Sequence, residues 1–339
     1  MKKFVGLAST ALLVAGFAAP IAATAQDFNA YIITDVGGVD DKSFNQSAWE
    51  GLQAFGKENN LEKGKGFDYI QSNSDSDYVT NLNNAVAAGA TITFGIGFKL
   101  EAAINDIAQQ HPDKHFAIVD SVVDQPNVAS LTFKDNESSF LAGVAAAKTT
   151  TTKKVGFIGG VEGFVIDRFE AGFRAGVAAV DPSIEVVIEY AGSFTDSAKG
   201  KQLAAAMYSN DVDVIFHASG AVGNGVFSEA KDIVANDPSK NIWVIGVDLD
   251  QDAEGIVEID GKERHLTLTS TLKGVGEAVK QFAQQAKDGK FEAGNKVFGL
   301  KDGGVGLAEG QLSDEAKKAV EEYKEKIING EIEVPEKPE

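Results

Sequence analysis

The chain contains no cysteine. That absence excludes disulfides, cysteine–zinc centres, thiol nucleophiles and a lipid tether on a cysteine. Histidine is nearly as scarce, with His111, His115, His217 and His265 the whole supply. His111 and His115 have the spacing of a shared helix face, but Pro112 breaks a helix there, so they do not read as a metal pair. His217 falls in a strand-like run and reads as a core residue. Positive charge is short as well: 31 Lys and Arg stand against 50 Asp and Glu, a net charge of −19. A phosphate backbone needs clustered Lys and Arg, so no nucleic-acid partner is expected. The hydrolase motifs G-x-S-x-G and H-E-x-x-H are missing. No cofactor, metal or catalytic pair emerges, and the chain is not expected to be an enzyme.

Only one long apolar run is present, at residues 4–19. Lys2 and Lys3 precede it, Pro20 breaks it, and Ala23-Thr24-Ala25 offers the small–x–small pattern that signal peptidase accepts. The run is shorter than the roughly 20 residues of a spanning helix. Residues 1–25 therefore read as a cleaved signal peptide. The expected location is the periplasm or the outer face of the cytoplasmic membrane. ATP and NAD(P)H are scarce there, so a binding protein or a hydrolase is favoured over a dehydrogenase.

Behind the signal, apolar β-branched runs alternate with amphipathic stretches, the pattern of a parallel sheet with crossover helices. Strands are expected at residues 30–34, 67–71, 91–96, 116–119 and 128–133. Helices fall between them at 43–59, 77–88 and 100–110. A second series follows, with strands at 155–158, 184–190, 212–217 and 242–247 and helices at 166–180, 197–209 and 224–236. Then come a strand at 266–271, a helix at 274–288, a strand at 296–300 and a charged helix at 313–328. The two series echo each other, so the fold class is α/β with two Rossmann-like lobes. The first lobe is expected at residues 26–133 plus 249–289. The second is expected at 134–248 plus 290–339. Three crossings would make a three-strand hinge.

In open parallel sheets ligands sit beyond the C-terminal strand ends. Three strands end there in a carboxylate, at Asp35, Asp120 and Asp248. A carboxylate accepts both hydrogens of a vicinal diol or of an N–H pair. It also caps helices, and one such Asp alone would read that way. Asp35 opens the segment Asp35-Val36-Gly37-Gly38-Val39-Asp40-Asp41-Lys42-Ser43-Phe44-Asn45-Gln46. Ser43 with Gln46 fits a capping box, which starts a helix. Phe44 then stands on the cleft rim, placed to stack on a flat ligand or to staple the helix to the sheet. Phe194 occupies the equivalent strand-to-helix turn of the second lobe. Gly220 to Gly225 has neither phosphate-loop spacing and reads as a close backbone approach to a neutral ligand.

The segment from Asp35 to Gln46, followed by Ala48-Trp49-Glu50-Gly51, resembles the N-terminal signature of the basic membrane protein (Bmp) family. Leu141-Ala142-Gly143, Phe169-Glu170-Ala171-Gly172-Phe173, Gly192-Ser193-Phe194, Gly220 to Gly225, Gly246-Val247-Asp248 and Ser270-Thr271-Leu272-Lys273 fit it too. The family comprises purine-nucleoside-binding proteins of ABC importers, with the type I periplasmic-binding-protein fold. The resemblance implies a purine nucleoside between the lobes and ABC permease and ATPase partners at the membrane. Phe44 and Phe194 would sandwich the base. Asp120 and Asn45 would hydrogen-bond the base or hold its surroundings. Asp35, Asp248 and Lys273 would serve the ribose hydroxyls, and Gly220 would present its backbone. A monomer is the expected state. The chain departs from many relatives in having Ala25-Gln26 where they carry a lipid-modified cysteine. A sugar or other small polar metabolite is the alternative cargo, and a ligand-presenting sensor component the alternative role.

Overall fold

The computed structural model describes residues 28–338, so the expected signal peptide at 1–25 lies outside the described residues. The chain begins with β1 (Ala30–Ile33), α1 (Phe44–Glu58), β2 (Phe67–Ile70), α2 (Tyr78–Ala87), β3 (Ile92–Ile96), α3 (Glu101–Gln110), β4 (His115–Val119) and β5 (Val128–Phe133). It crosses to the second lobe through α4 (Asp135–Thr149) and continues with β6 (Lys154–Gly159), α5 (Phe164–Val180), β7 (Glu185–Tyr190), α6 (Ser197–Ser209), β8 (Val214–Ala218), α7 (Val222–Asn236) and β9 (Trp243–Gly246). The hairpin β10 (Ile256–Ile259) and β11 (Lys262–His265) leads into β12 (Thr267–Lys273). After it come α8 (Val275–Lys287), β13 (Gly294–Phe298), β14 (Val305–Leu307) and α9 (Asp314–Ile328).

Each lobe holds one six-stranded sheet, ordered β13-β5-β4-β3-β1-β2 in the first and β14-β12-β9-β8-β6-β7 in the second. Within these two sheets all ladders are parallel except that of β14, which runs antiparallel to β12, and the β10–β11 hairpin forms a separate antiparallel pair. Every residue of β3, β5 and β8 is buried. Helices cover both faces of a parallel sheet, so its central strands read as unbroken apolar runs rather than alternating ones. The amphipathic helices pack the complementary stripe. In α8, for example, Val275, Ala278, Val279, Phe282, Ala283 and Ala286 are buried at helical spacing.

The expected lobe boundaries need two corrections. The strand near 266–271 was expected to complete the first lobe, but β12 pairs with β9 and belongs to the second. The strand near 296–300 was expected in the second lobe, but β13 pairs with β5 and completes the first. Helix α8 does join the first lobe, against α1, and α9 packs on α4 in the second. An apolar strand carries no mark of which sheet it will enter; long-range register decides that. Three crossings remain, at Lys134, at Gly274 and at residues 299–304. They are laced together: Lys134 N donates to Phe298 O at 2.8 Å and Gly274 N to Gly304 O at 2.9 Å. Glu137 Oε2 accepts from Leu300 N at 2.8 Å.

Candidate functional site

A cleft lies where the C-terminal strand ends of the two sheets face each other, its envelope about 560 Å³ with the adjoining open solvent included. From the first lobe it is lined by Asp35, Phe44, Asn45 and Asp120, and from the second by Phe194, Gly220, Asp248 and Lys273. Every residue selected from the sequence thus reaches one cavity. Asp120 follows β4 and Asp248 follows β9, and both have a left-handed backbone, each with φ of 66°. L-residues avoid that region, Asp less than most, at a cost of about 1–2 kcal/mol. The two departures stand at facing strand ends and turn both carboxylates to the cleft.

The turn after β1 differs from the expected capping box. Ser43 makes no cap bond to α1. Asp41 serves instead: its Oδ1 accepts from Ser43 N at 2.9 Å and Gln46 N at 3.0 Å, and its Oδ2 from Asn45 N at 2.9 Å. Ser43 Oγ is freed to donate to Asp248 Oδ2 across the cleft. A second bond between lobes runs from Gln251 Nε2 to Lys42 O at 2.8 Å. Gln251 Oε1 accepts from Val247 N at 2.9 Å and lies 3.0 Å from His217 Nε2. Burial lowers the His217 pKa to about 4, so this core imidazole is neutral and braces the Asp248 turn from behind.

The glycines near β8 divide by role. Gly220 lines the cleft with φ of 56°, and a Cβ there would lie 3.2 Å from Phe194 O. Gly223 and Gly225 instead let α7 press on His217 and on the Ser197 carbonyl, where Cβ atoms would sit at 2.0 and 1.9 Å. Only the first glycine of the loop fits the expected backbone approach to a ligand. Phe194 is seated against Gly160, where a Cβ would meet its ring at 2.2 Å. At the mouth, Phe98 and Phe164 touch edge to face from opposite lobes, with centroids 5.6 Å apart.

Lys273, at the end of β12, is 4% exposed and joins the lobes. Its Nζ lies 2.7 Å from Asp120 Oδ2 and 3.1 Å from Asp135 Oδ1. The Phe44, Phe133 and Phe169 rings stand 5.2 to 5.7 Å away. Burial works against the Lys273 charge, but Asp120, Asp135 and Asp248 outweigh it and raise its pKa. Burial likewise raises Asp35 and Asp248 to about 6 each. Gly37 N–H and Asn45 oppose this at Asp35; Lys273 and Ser43 oppose it at Asp248. Asp135 is raised to about 7, again chiefly by burial and against the pull of Lys273. The cleft is therefore acceptor-rich, aromatic and closed, with its single lysine already neutralised. It suits a neutral ligand with a flat face and many hydrogen-bond donors.

Sequence reasoning missed Asp41, Asp135, Phe98 and Phe169. Asp135 stands two residues past β5, so the strand-end rule applied one step further would have found it. Asp41 was read past because Ser43 looked like the cap. Phe98 carries no local signal apart from its aromatic character, and Phe169 opened a segment that fits the family but was given no role at the cleft. His111 and His115 make no shared site: they are separated by the loop before β4, and His115 stacks on Phe291 at 4.3 Å.

The Bmp family, described as ABC transporter substrate-binding protein PnrA-like, matches residues 28–338. The ABC transporter nucleoside-binding protein BmpA of Lactococcus lactis subsp. cremoris is 54% identical over 318 residues, spanning 92% of this chain and 90% of that protein. The CD4+ T-cell-stimulating antigen of Listeria monocytogenes is also 54% identical, over 93% of this chain and 90% of that one. Among solved structures, an ABC transporter solute-binding protein from Aeropyrum pernix superposes with a TM-score of 0.79 at 26% identity, covering 91% of this chain and 94% of the other. Two parallel-sheet lobes, a triple crossing and a closed cleft give the type I periplasmic-binding-protein fold, and the chain belongs to the Bmp family of ABC transporter substrate-binding proteins.

Proposed function

We propose that this substrate-binding protein captures a purine nucleoside outside the cytoplasmic membrane and delivers it to the permease and ATPase of its transporter. The observation that carries the reading is the convergence of Phe44 and Phe194, from opposite lobes, on a cleft whose polar lining is mostly carboxylate. A nucleoside has a flat face for two rings and a diol for Asp35 and Asp248. It has no phosphate, so the cleft needs no free cation; Lys273 is spent on Asp120 and Asp135. The name of the Lactococcus relative supports the same cargo. Phe44 and Phe194 hold the base, Asp120 and Asn45 meet its edge, and Gly220 lets the ligand approach the backbone.

Titration calorimetry with guanosine, adenosine, inosine and ribose tests this. Nucleosides are expected to bind far more tightly than ribose, and Phe44→Ala and Phe194→Ala each to weaken binding about 10-fold or more. Binding of free sugars with no dependence on a base would replace the nucleoside with a sugar cargo.

A further inference from the structure

Asn45 is gripped by two carboxylates. Its Nδ2 donates to Asp35 Oδ1 at 2.8 Å and to Asp41 Oδ2 at 3.0 Å. Both oxygens already accept backbone N–H groups, from Gly37 and from Asn45 itself. Oxygens serving as acceptors need a donor from the amide, so the NH2 end must face them. The amide cannot flip, and both of its hydrogens are consumed. Gly37 closes the near side, since a Cβ there would sit 2.7 Å from Asn45 Nδ2. Asn45 Oδ1 is left buried with no hydrogen-bond partner.

Asp120 repeats the pattern. Its Oδ2 accepts from Lys273 at 2.7 Å, while its Oδ1 is buried without a partner. Both side chains line the cleft and are 2% and 5% exposed. Buried acceptors left without donors are costly and call for a partner.

We infer that Asp41 is a positioning residue for ligand specificity: by locking the Asn45 amide it makes the Asn45–Asp120 part of the cleft acceptor-only, so the site selects nucleosides whose base edge supplies N–H donors. The inference rests on the proposed nucleoside cargo. Guanosine offers a ring N–H beside an exocyclic amino group, and adenosine offers both hydrogens of its amino group. Purine riboside has the same stacking face and the same ribose but no N–H on its base.

The purified protein is titrated calorimetrically with guanosine, adenosine and purine riboside. Guanosine or adenosine is expected to bind about 100-fold more tightly than purine riboside. Asp41→Asn brings a competing NH2 group and leaves Asp35 alone to hold the Asn45 amide, so the ratio should fall to about 10-fold or less. Asp41→Ser removes one of the two oxygens that hold the Asn45 amide, and should do the same. A merely structural role for Asp41 would weaken all three ligands together and leave the ratio intact, which overturns the inference. Equal binding of purine riboside and guanosine to the unaltered protein also overturns it while leaving the nucleoside cargo standing. Failure of every nucleoside to bind removes the cargo and the inference together.

Discussion

Asp248 combines a left-handed backbone, a buried carboxylate and a bond from the opposite lobe. Its carboxyl is raised from 3.8 to about 6, first by burial. Between those values the folded chain keeps a proton that the unfolded chain has lost. Its stabilising contribution is therefore fully present below about pH 4 and is lost as pH rises through about 6. Asp248→Asn should raise the melting temperature at pH 8, and the gain should shrink toward pH 5, as thermal melts at both values will read. The same substitution should weaken ligand binding, because a site built of buried carboxylates trades stability for function. Asp248 was legible as a strand-end acceptor. Its partner Ser43 was not, because a Ser–x–x–Gln pattern at a helix start looks like a local cap, and only the second lobe offers the alternative acceptor.

Helix α4 was invisible in the sequence, although its neighbours were read closely. Residues 135–146 are all buried, so α4 has no polar face and no 3.6-residue stripe. Its packing on α5 depends on bare backbone. A Cβ at Gly143 would meet Phe173 O at 2.3 Å, and one at Gly176 would meet Phe140 O at 2.0 Å. Gly176→Ala gains roughly 1 kcal/mol of helix propensity. It must also push two helices apart against a carbonyl that cannot swing away, an overpacking cost of about 1–3 kcal/mol or more. A net loss of stability is expected, read as a lower denaturant midpoint at unchanged slope. The β10–β11 hairpin was missed for another reason. Its strands are only four residues long, β10 half-buried and β11 polar, yet the Asp260-Gly261 turn, with φ of 51° and 73°, carried a readable signal.

The contacts between the lobes include the Ser43–Asp248 and Gln251–Lys42 bonds, the Lys273–Asp120 ion pair, and the Phe98–Phe164 edge contact at the mouth. The first three lie beside the cleft, whereas Phe164 is 46% exposed at the rim. A hinge motion that opened the cleft would separate contacts made between the lobes, and the Phe98–Phe164 pair is one of these. Phe164→Ala should therefore speed release of the bound ligand about 2- to 10-fold without altering preference among ligands. Stopped-flow displacement measures the release rate, and an unchanged rate would remove the pair from the closing machinery. Arg168 ties this rim to the hinge, with its guanidinium 5.9 Å from the Phe164 ring and Nη1 donating to Phe133 O at 3.4 Å.

The sequence by itself determined the two-lobe α/β plan, the strand-end carboxylates and the placement of Phe44 and Phe194 at strand-to-helix turns, because period, strand propensity and turn chemistry are local. Tertiary structure alone decided which sheet took β12 and which took β13, since neither strand carries a local mark of its sheet and only cross-strand pairing tells them apart. It also decided that Asp41 rather than Ser43 caps α1, and that Lys273 is held by Asp120 and Asp135. Those outcomes depend on what stands across the cleft, from residues more than a hundred positions away in the chain for Ser43 and Lys273.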